Sequence, residues 1–412
     1  MIHIDKFLCC GCAACVQRCP KLCITLHEDH EGFLYPKVDT DICIDCGLCE
    51  KVCPILNEGD KRTPLKVYAA INKDEKIRLE SSSGGIFTLL AEQTIQEGGV
   101  VFGARFDEAW QVRLDYTETI EGLSAFRGSK YVQARTENCY CLAENFLRQG
   151  RKVLFTGTPC QIAGLKKFLR KEYDNLLAVD FVCHGVPSPK VWRRYLQELL
   201  ASKGEKNTVS FSPNPISLSE GNAPIVGIFF RNKALGWKKY SFVLHRNLAE
   251  ATAEGEANSV SFSDMHRENL YMRLFLSDVI LRPSCYQCHC KEGKSGADIT
   301  IADFWGIGNI SPEMDDDKGT SLIILQTEKG EQIFLKLDVV KKEQTYEEAS
   351  RSNQGLKSVC KPHPKRERFF EGMDNVKDWK RFCNGILRKP LHVRLKNRLK
   401  GIIKSIVRRV KL

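Results

Sequence analysis

The rhythm of hydrophobic and polar positions changes once along this chain, near residue 66. Before that point there is a short cysteine-rich unit, residues 1 to about 60, closed by the polar stretch Asn57-Glu-Gly-Asp-Lys-Arg-Thr-Pro64, which reads as a linker. After it, apolar runs predict strands at Val67 to Ile71, Gly99 to Phe106, Val153 to Thr156 and Leu176 to Cys183. Helical periodicity fills the intervals: Gly84 to Gln96, Glu137 to Gln149, Pro159 to about Arg170, and Pro189 to Leu200. Strands alternating with helices of this length predict an α/β domain with a mainly parallel sheet. Between about Asn207 and Ser263, short alternating stretches such as Ile225 to Phe230 and Tyr240 to His245 predict an antiparallel insertion. A further helix and a cysteine-rich turn at Cys285 to Cys290 lead into Asp298 to Trp305.

Length supports two or three domains with a sizeable core, and the composition, 42% hydrophobic and 27% charged, is that of a soluble protein. Nineteen cysteines change the picture, because ten of them precede residue 54 in tight spacing that suits metal better than cross-links. The first motif begins at Cys9, leaving no room for a secretory signal, and no apolar run reaches the length of a membrane span. The expectation is a protein of the reducing cytoplasm. The net charge of +11 invites a nucleic-acid reading, but no acidic residue follows Asp378 and ten Lys or Arg lie between Arg388 and Leu412. The basic character belongs to a tail.

Cys9-x2-Cys12-x2-Cys15-x3-Cys19-Pro20 recurs as Cys43-x2-Cys46-x2-Cys49-x3-Cys53-Pro54. In this arrangement three closely spaced thiolates hold one 4Fe-4S cluster and the fourth reaches across to the other. One cluster is thus assigned Cys9, Cys12, Cys15 and Cys53, the other Cys43, Cys46, Cys49 and Cys19. Gly11 and Gly47 lie inside the ligand loops, where a missing side chain lets the backbone turn tightly. Zinc, the alternative, needs four ligands per site and no crossed pattern. Cys10 and Cys23 fall outside the motif and read as small buried residues.

Further along, Thr156-Gly-Thr-Pro-Cys160 ends a strand and opens a helix, with Thr158 as N-cap and Pro159 at the first helical position. Cys160 then falls in the first turn, where backbone amides favour a thiolate. Cys183 likewise follows a strand, and parallel strands would bring both sulfurs to one sheet edge. Cys285 and Cys288 add a CxxC pair. Spacing alone leaves two readings open, a third cluster and packed core cysteines.

Ser81-Ser-Ser-Gly-Gly-Ile86, Gly128-Ser-Lys-Tyr-Val132, Phe155-Thr-Gly-Thr-Pro-Cys-Gln161, Asp180-Phe-Val-Cys-His-Gly185, and Cys285-Tyr-Gln-Cys288 followed by Ala297-Asp-Ile-Thr-Ile-Ala-Asp-Phe-Trp-Gly306 resemble the coenzyme F420 hydrogenase/dehydrogenase beta-subunit family. The resemblance covers about residues 66 to 310, with a ferredoxin-type unit in front. It implies an iron-sulfur flavoprotein that binds FAD, in a family that includes deazaflavin-dependent oxidoreductases and chlorophyll-pathway reductases. It also implies Cys160, Cys183, Cys285 and Cys288 as ligands of a third cluster, with Cys290 an alternative ligand. Cys139, Cys141, Cys360 and Cys383 match no motif and read as structural.

For the flavin, Ser82, Ser83, Gly84 and Gly85 at a helix start offer hydroxyls and open amides, although such a start is usually a cap. Ser129 and Lys130 would place a hydroxyl and a cation near a flavin or pyrophosphate, or at a solvated surface. Thr156, Gly157 and Thr158 form a third small, hydroxyl-rich turn. Asp303 and Trp305 either line the same pocket or pack at a strand end, and His184 either transfers protons or holds its turn.

In the tail, Leu395, Leu399, Ile402, Ile403, Ile406 and Val410 recur at helical spacing among Arg394, Lys396, Arg398, Lys400, Lys404, Arg408, Arg409 and Lys411. Such a stripe fits a helix on an anionic membrane surface or one docked on the protein body. Nucleic acid is not expected, since the tail lacks aromatic residues for stacking.

The fold expected is an α+β ferredoxin-like iron-sulfur module, residues 1–60, followed by an α/β domain divided at 66–150 and 151–340, with a helical extension at 341–412 ending in a basic amphipathic helix. The function expected is oxidoreductase electron relay from a ferredoxin-like carrier through 4Fe-4S clusters to FAD and an organic substrate. A non-catalytic electron-transfer subunit, and a redox accessory of envelope polysaccharide assembly with peripheral membrane contact through 391–412, are the alternatives.

Overall fold

The computed structural model describes residues 1–201, 225–251 and 257–388. In the cysteine-rich unit, helices α1 (Ala14–Arg18) and α2 (Leu48–Lys51) follow the two cysteine runs, and β1 (Ile24–Glu28) pairs antiparallel with β2 (Leu34–Val38). The backbone enters the left-handed region on both sides of the middle cysteine of each run. Gly11 (φ 71°) and Ala13 (φ 61°) flank Cys12, as Asp45 (φ 48°) and Gly47 (φ 69°) flank Cys46. Two reversals per run turn three consecutive thiols toward one point.

The body then runs β3 (Lys66–Asn72), α3 (Glu75–Glu80), α4 (Ile86–Gln96), β4 (Val100–Phe106), β5 (Val112–Thr117), α5 (Cys139–Arg148), β6 (Val153–Gly157), α6 (Pro159–Leu169), β7 (Leu176–Phe181) and α7 (Pro189–Ala201). After these come β8 (Ile225–Asn232), β9 (Ser241–Ala251), β10 (Ala257–Met265), α8 (Leu270–Leu276), β11 (Ile299–Asp303), β12 (Ser321–Leu325), α9 (Glu328–Leu335), β13 (Val339–Gln344), α10 (Tyr346–Ser352), α11 (Arg366–Gly372) and α12 (Trp379–Leu387).

Eight strands form one sheet in the order β13-β3-β12-β11-β7-β6-β4-β5. The expected mainly parallel sheet is in fact mixed. Only the β4–β6, β6–β7 and β7–β11 pairs are parallel, and the other four neighbouring pairs are antiparallel. The difference has local causes. Asp107 accepts from the amides of Ala109 and Gln111 and so closes a tight turn that returns β5 along β4. β12, an apolar run buried at every position, slots between β11 and β3. Even so, β3, β4, β6, β7 and β11 all point the same way, so their carboxyl ends share one edge.

β8, β9 and β10 form a separate antiparallel sheet, as the alternation predicted. It packs on an aromatic core in which Trp192, Phe230, Phe242 and Tyr271 are in mutual ring contact. The start of the predicted insertion at 207 and the basic helix predicted for 391–412 lie outside the described residues. Among the described residues, no helix is long and apolar enough to cross a membrane.

The cysteine-rich unit shares a core with the body. Cys12, Ala14 and Val52 belong to the same buried cluster as Phe102, Tyr140, Phe155, Ile162 and Leu165. Polar contacts lock this docking: the Gln17 side-chain oxygen accepts from the amides of Tyr140 and Cys141, Arg18 pairs with Glu144 at 2.9 Å, and Arg366 pairs with Glu31. Closest approach occurs at Gly164 of α6, where an added Cβ would stand 2.9 Å from the Tyr140 hydroxyl and 3.0 Å from both Cβ and Sγ of Cys12.

Gly164→Ala tests this docking. On an exposed helix the change stabilises by about 1 kcal/mol. Here it should lower the thermal midpoint and loosen cluster retention, read by iron loss under chelation. A raised midpoint with unchanged retention would contradict the packing.

Candidate iron-sulfur centres

The structure gives each half of the cysteine unit its own small cavity. One is lined by Cys9, Cys12, Cys15 and Cys53, together with Cys10, Pro54 and Ile55. The other is lined by Cys19, Cys43, Cys46 and Cys49, together with Cys23, Pro20 and Ile44. In each, three cysteines of one run meet the fourth of the other, the arrangement that two crossed 4Fe-4S clusters would need. Among the described residues, no three or more His, Cys, Asp or Glu converge to hold a single metal ion, whereas a cubane spreads its thiolates over four irons.

The two cavities differ in exposure. Cys9, Cys12, Cys15 and Cys53 are all buried, while Cys46 is exposed and Cys43 half-buried. The first cavity is the inner one, facing α6, and the second faces outward. Cys23 stands 3.3 Å from Cys19 at the outer site, and Cys10 lies in hydrogen-bonding reach of both Cys12 and Cys160. Both extra thiols line the cavities rather than merely filling core.

At the carboxyl edge of the large sheet a second group of cysteines assembles. Thr158 caps α6 in a full capping box with Gln161, which puts Cys160 in the first turn. Its hydroxyl stands 3.2 Å from the Cys160 sulfur. Cys183 follows β7, the parallel neighbour of β6. The segment after Cys183 runs beside the one holding Cys285: the Arg282 amide donates to Val186 O, the Ser188 amide to Ile280 O, and the Val186 amide to the Cys285 sulfur at 3.4 Å. Cys285 sits in a 3-10 turn, Pro283–Gln287, that ends at Cys288.

These four thiols are electrostatic neighbours. Burial and then the thiols of Cys285, Cys160 and Cys288 push Cys183 well above its ordinary value. Burial pushes Cys285 up to about 12, with Cys160 and Cys288 adding to it. For Cys160 the hydrogen bond with Cys10 leads, then burial. Cys290 is buried within reach of Cys160 and Cys288. Packed thiols that resist ionisation alone become good ligands once a cationic iron centre supplies the missing charge. Cys139 and Cys383 are buried in cores, Cys141 reaches Gln17 O, and Cys360 lies against the carbonyls of His184 and Cys285.

The residues expected to hold a flavin have polar partners within the protein, Lys130 included, whose ammonium donates to Arg127 O and Gly128 O. Ser83 donates to Thr320 O, the Gly84 amide to Ser321, Thr156 to Phe102 O, and Thr158 serves α6. Gly85, at φ 82°, is the N-cap of α4, and Gly157 packs against Gln161. Ser82 and Ser129 stand together, their hydroxyls 2.8 Å apart. Beside them, loss of water contact, with Arg105 near, lowers the Lys130 ammonium to about 7.

Sequence reasoning missed two cations at this same place, Arg231 near the end of β8 and Lys233 just after it. Arg231 pairs with Asp303 at 2.7 Å and donates to Ser82 O, while Tyr240 and Trp305 flank its guanidinium. Lys233 donates to Arg78 O, Ser83 O and Lys318 O, and burial followed by the Arg231 charge lowers it to about 7. The only signal for them was basic residues interrupting an apolar strand. Asp303 also accepts from the Trp237 indole, and Trp305 stacks on Trp237 at 4.6 Å. His184 hydrogen-bonds Asp278 at 2.7 Å.

A model of the 4Fe-4S dicluster domain matches residues 8–56. Models of the coenzyme F420 hydrogenase/dehydrogenase beta subunit match residues 67–139 for its N-terminal part and 150–350 for its C-terminal part. One subunit of the F(420)H(2) dehydrogenase of Methanosarcina mazei is 22% identical over 191 residues, which are 44% of this chain and 54% of that protein. The coenzyme F420-dependent sulfite reductase of Methanocaldococcus jannaschii is 27% identical over 176 residues, 40% of this chain and 26% of that protein. Ferredoxin 7Fe of Hydrogenibacillus schlegelii is 51% identical over 65 residues, 15% of this chain and 77% of that protein. The chain therefore spans about half of the first relative and about a quarter of the second.

Asp180, buried three residues before Cys183, offers a pH test of this edge. Burial pushes its carboxyl up to about 6, against hydrogen bonds from Ser295 and Thr300 that favour the ionised form. The native state then holds the proton more tightly than the unfolded chain, so stability falls as pH rises from about 4 through about 6. Asp180→Asn removes that penalty and should gain on the wild type over this interval by roughly 2 to 4 kcal/mol, read by denaturation at each pH. A difference that stays flat with pH would contradict the assignment.

Proposed function

Because the chain belongs to the coenzyme F420 hydrogenase/dehydrogenase beta-subunit family, with a 4Fe-4S dicluster domain ahead of it, we propose that it passes electrons between a one-electron carrier and a two-electron cofactor at the sheet edge. The carrier is a ferredoxin-like protein. Cys19, Cys43, Cys46 and Cys49 would hold the outer cluster, nearest the surface and so the point of entry for electrons, and Cys9, Cys12, Cys15 and Cys53 would hold the inner one. Cys160, Cys183, Cys285 and Cys288 would hold a third 4Fe-4S centre, which would supply one-electron redox chemistry at the sheet edge. The clusters supply one-electron redox chemistry, and the protein fixes their spacing, potential and access to water.

The observation that carries this reading is the convergence of these four cysteines, from three separate segments, beside the helix that packs on Cys12. Both longer relatives are named for coenzyme F420, and a deazaflavin of that kind is the favoured two-electron partner. FAD is the second reading. Either would be received at the turn where the hydroxyls of Ser82 and Ser129 and the Lys130 ammonium gather, with Arg231 behind them.

A subunit that hands electrons to a partner enzyme, instead of to its own organic substrate, is supported by one feature. The half of the module with exposed Cys46 leaves Leu22, Ile42 and Ile44 at 79%, 50% and 59% exposure, Ile44 lining the same cavity as Cys46, apolar surface suited to a redox partner.

Anaerobic purification with iron, sulfide and flavin quantification tests the proposal. About twelve irons per chain are expected, falling to about eight in Cys285→Ala/Cys288→Ala, at four irons per cluster. About eight irons in the unsubstituted chain would overturn the third centre. Reduction of added coenzyme F420 by the dithionite-reduced chain, against retention of FAD, separates the two cofactor readings.

A further inference from the structure

Arg282 is completely buried. Its Nε donates to Cys9 O at 2.8 Å, one Nη to the Gln133 side-chain oxygen at 3.0 Å, and the other Nη to Leu34 O at 2.9 Å and to the Cys9 sulfur at 3.8 Å. The rings of Tyr35 and Phe33 lie 4.2 and 5.4 Å from it. None of these partners is a carboxylate. Other guanidiniums held in the interior have one: Arg78 pairs with Asp316, Arg231 with Asp303, Arg366 with Glu31. A buried cation without a counter-charge is strongly destabilising. What Arg282 does face is a ligand sulfur of the inner cluster.

We propose that the inner cluster is the counter-ion of Arg282, and that Arg282 sets this cluster's reduction potential above that of the outer one. A 4Fe-4S centre with four thiolates carries net negative charge, which completes the ion pair the protein lacks. Positive charge and N–H donors beside a cluster sulfur stabilise the reduced form. Electrons arriving at the exposed cluster then collect at the inner one, against α6.

The two halves of the module display the asymmetry directly. At Gly11, one residue before Cys12, an added Cβ would stand 2.8 Å from a guanidinium nitrogen of Arg282. The matching residue of the other half is Asp45, its side chain 77% exposed. That carboxylate is paired with the Met1 ammonium, and exposed Lys21 lines the same cavity, so the outer site's charges lie at the surface whereas the inner site's cation is buried. Arg282 also precedes the turn bearing Cys285, so one segment serves both the inner cluster and the sheet-edge cysteines.

The inference rests on the two clusters of the dicluster domain and is independent of the third centre. Full-length Arg282→Met, Arg282→Gln and Arg282→Lys, loaded anaerobically, test it by potentiometric titration followed by EPR. The outer cluster is identified by its response to Cys46→Ser. In the neutral variants the inner cluster's midpoint should fall relative to the outer one, by at least a tenfold change in their electron-sharing ratio, or about 59 mV for a one-electron couple. The lysine variant should keep most of the wild-type separation. An unchanged separation in a fully loaded neutral variant overturns the proposal. If neither neutral variant retains its clusters, retention in the lysine variant supports the charge role, and loss there too overturns it. Iron content reports on the clusters themselves, so failure of the two-cluster reading is distinguishable from failure of the role given to Arg282.

Discussion

Everything in this structure depends on how closely the first cysteine run lies against α6. A glycine at position 164 leaves the space that Cys12 fills, and that contact places a module cysteine within the core of the body. The same helix carries Cys160 in its first turn. One short helix therefore has the inner cluster on its flank and a sheet-edge thiol at its start. Were the module tethered only by the linker at 57–64, the distance between these centres would vary with linker motion; a shared core fixes it.

The large sheet contributes the second constraint. Five co-oriented strands deliver the Ser82–Gly85 turn, Cys160, Cys183 and Asp303 to one edge. The paired segments at 183–188 and 280–285 bring the CxxC turn to the same place. Charge is arranged with equal economy. The buried cations Arg231 and Lys233 meet Asp303 and main-chain carbonyls, while Arg282 meets the Cys9 sulfur. On the proposal made for Arg282, fold and cofactor depend on each other, the inner cluster supplying a counter-charge that the guanidinium's protein partners do not.

The crossed grouping of cysteines was legible in the sequence because CxxCxxCxxxCP spacing is local, and each expected set of four lies together in one cavity lining, joined there by Cys10 or Cys23. Most strands and helices from Val67 to Leu200 were legible for the same reason, each carrying its own period, but the short helix Glu75–Glu80 and the strand Val112–Thr117 were not. Nor was sheet direction. β5, β12 and β13 join by antiparallel pairing, and no property of Val112–Thr117 or Ser321–Leu325 taken alone announces which neighbour it will choose. The flavin residues show the opposite failure. Ser83, Thr156 and Thr158 read correctly as hydroxyls at turns, but their partners, Thr320 O, Phe102 O and the α6 amides, come from distant sequence or are caps. Arg282 was invisible, since burial beside Cys9 joins positions far apart along the chain.

The central claim is that the inner cluster and the sheet-edge cysteines form one continuous path. EPR of the dithionite-reduced chain tests it most directly, comparing the wild type with Cys183→Ala/Cys285→Ala. The account predicts a spin-coupled spectrum, with broadening beyond that of a two-cluster ferredoxin, that collapses to the two-cluster pattern in the double variant. Identical two-cluster spectra in both proteins would contradict it.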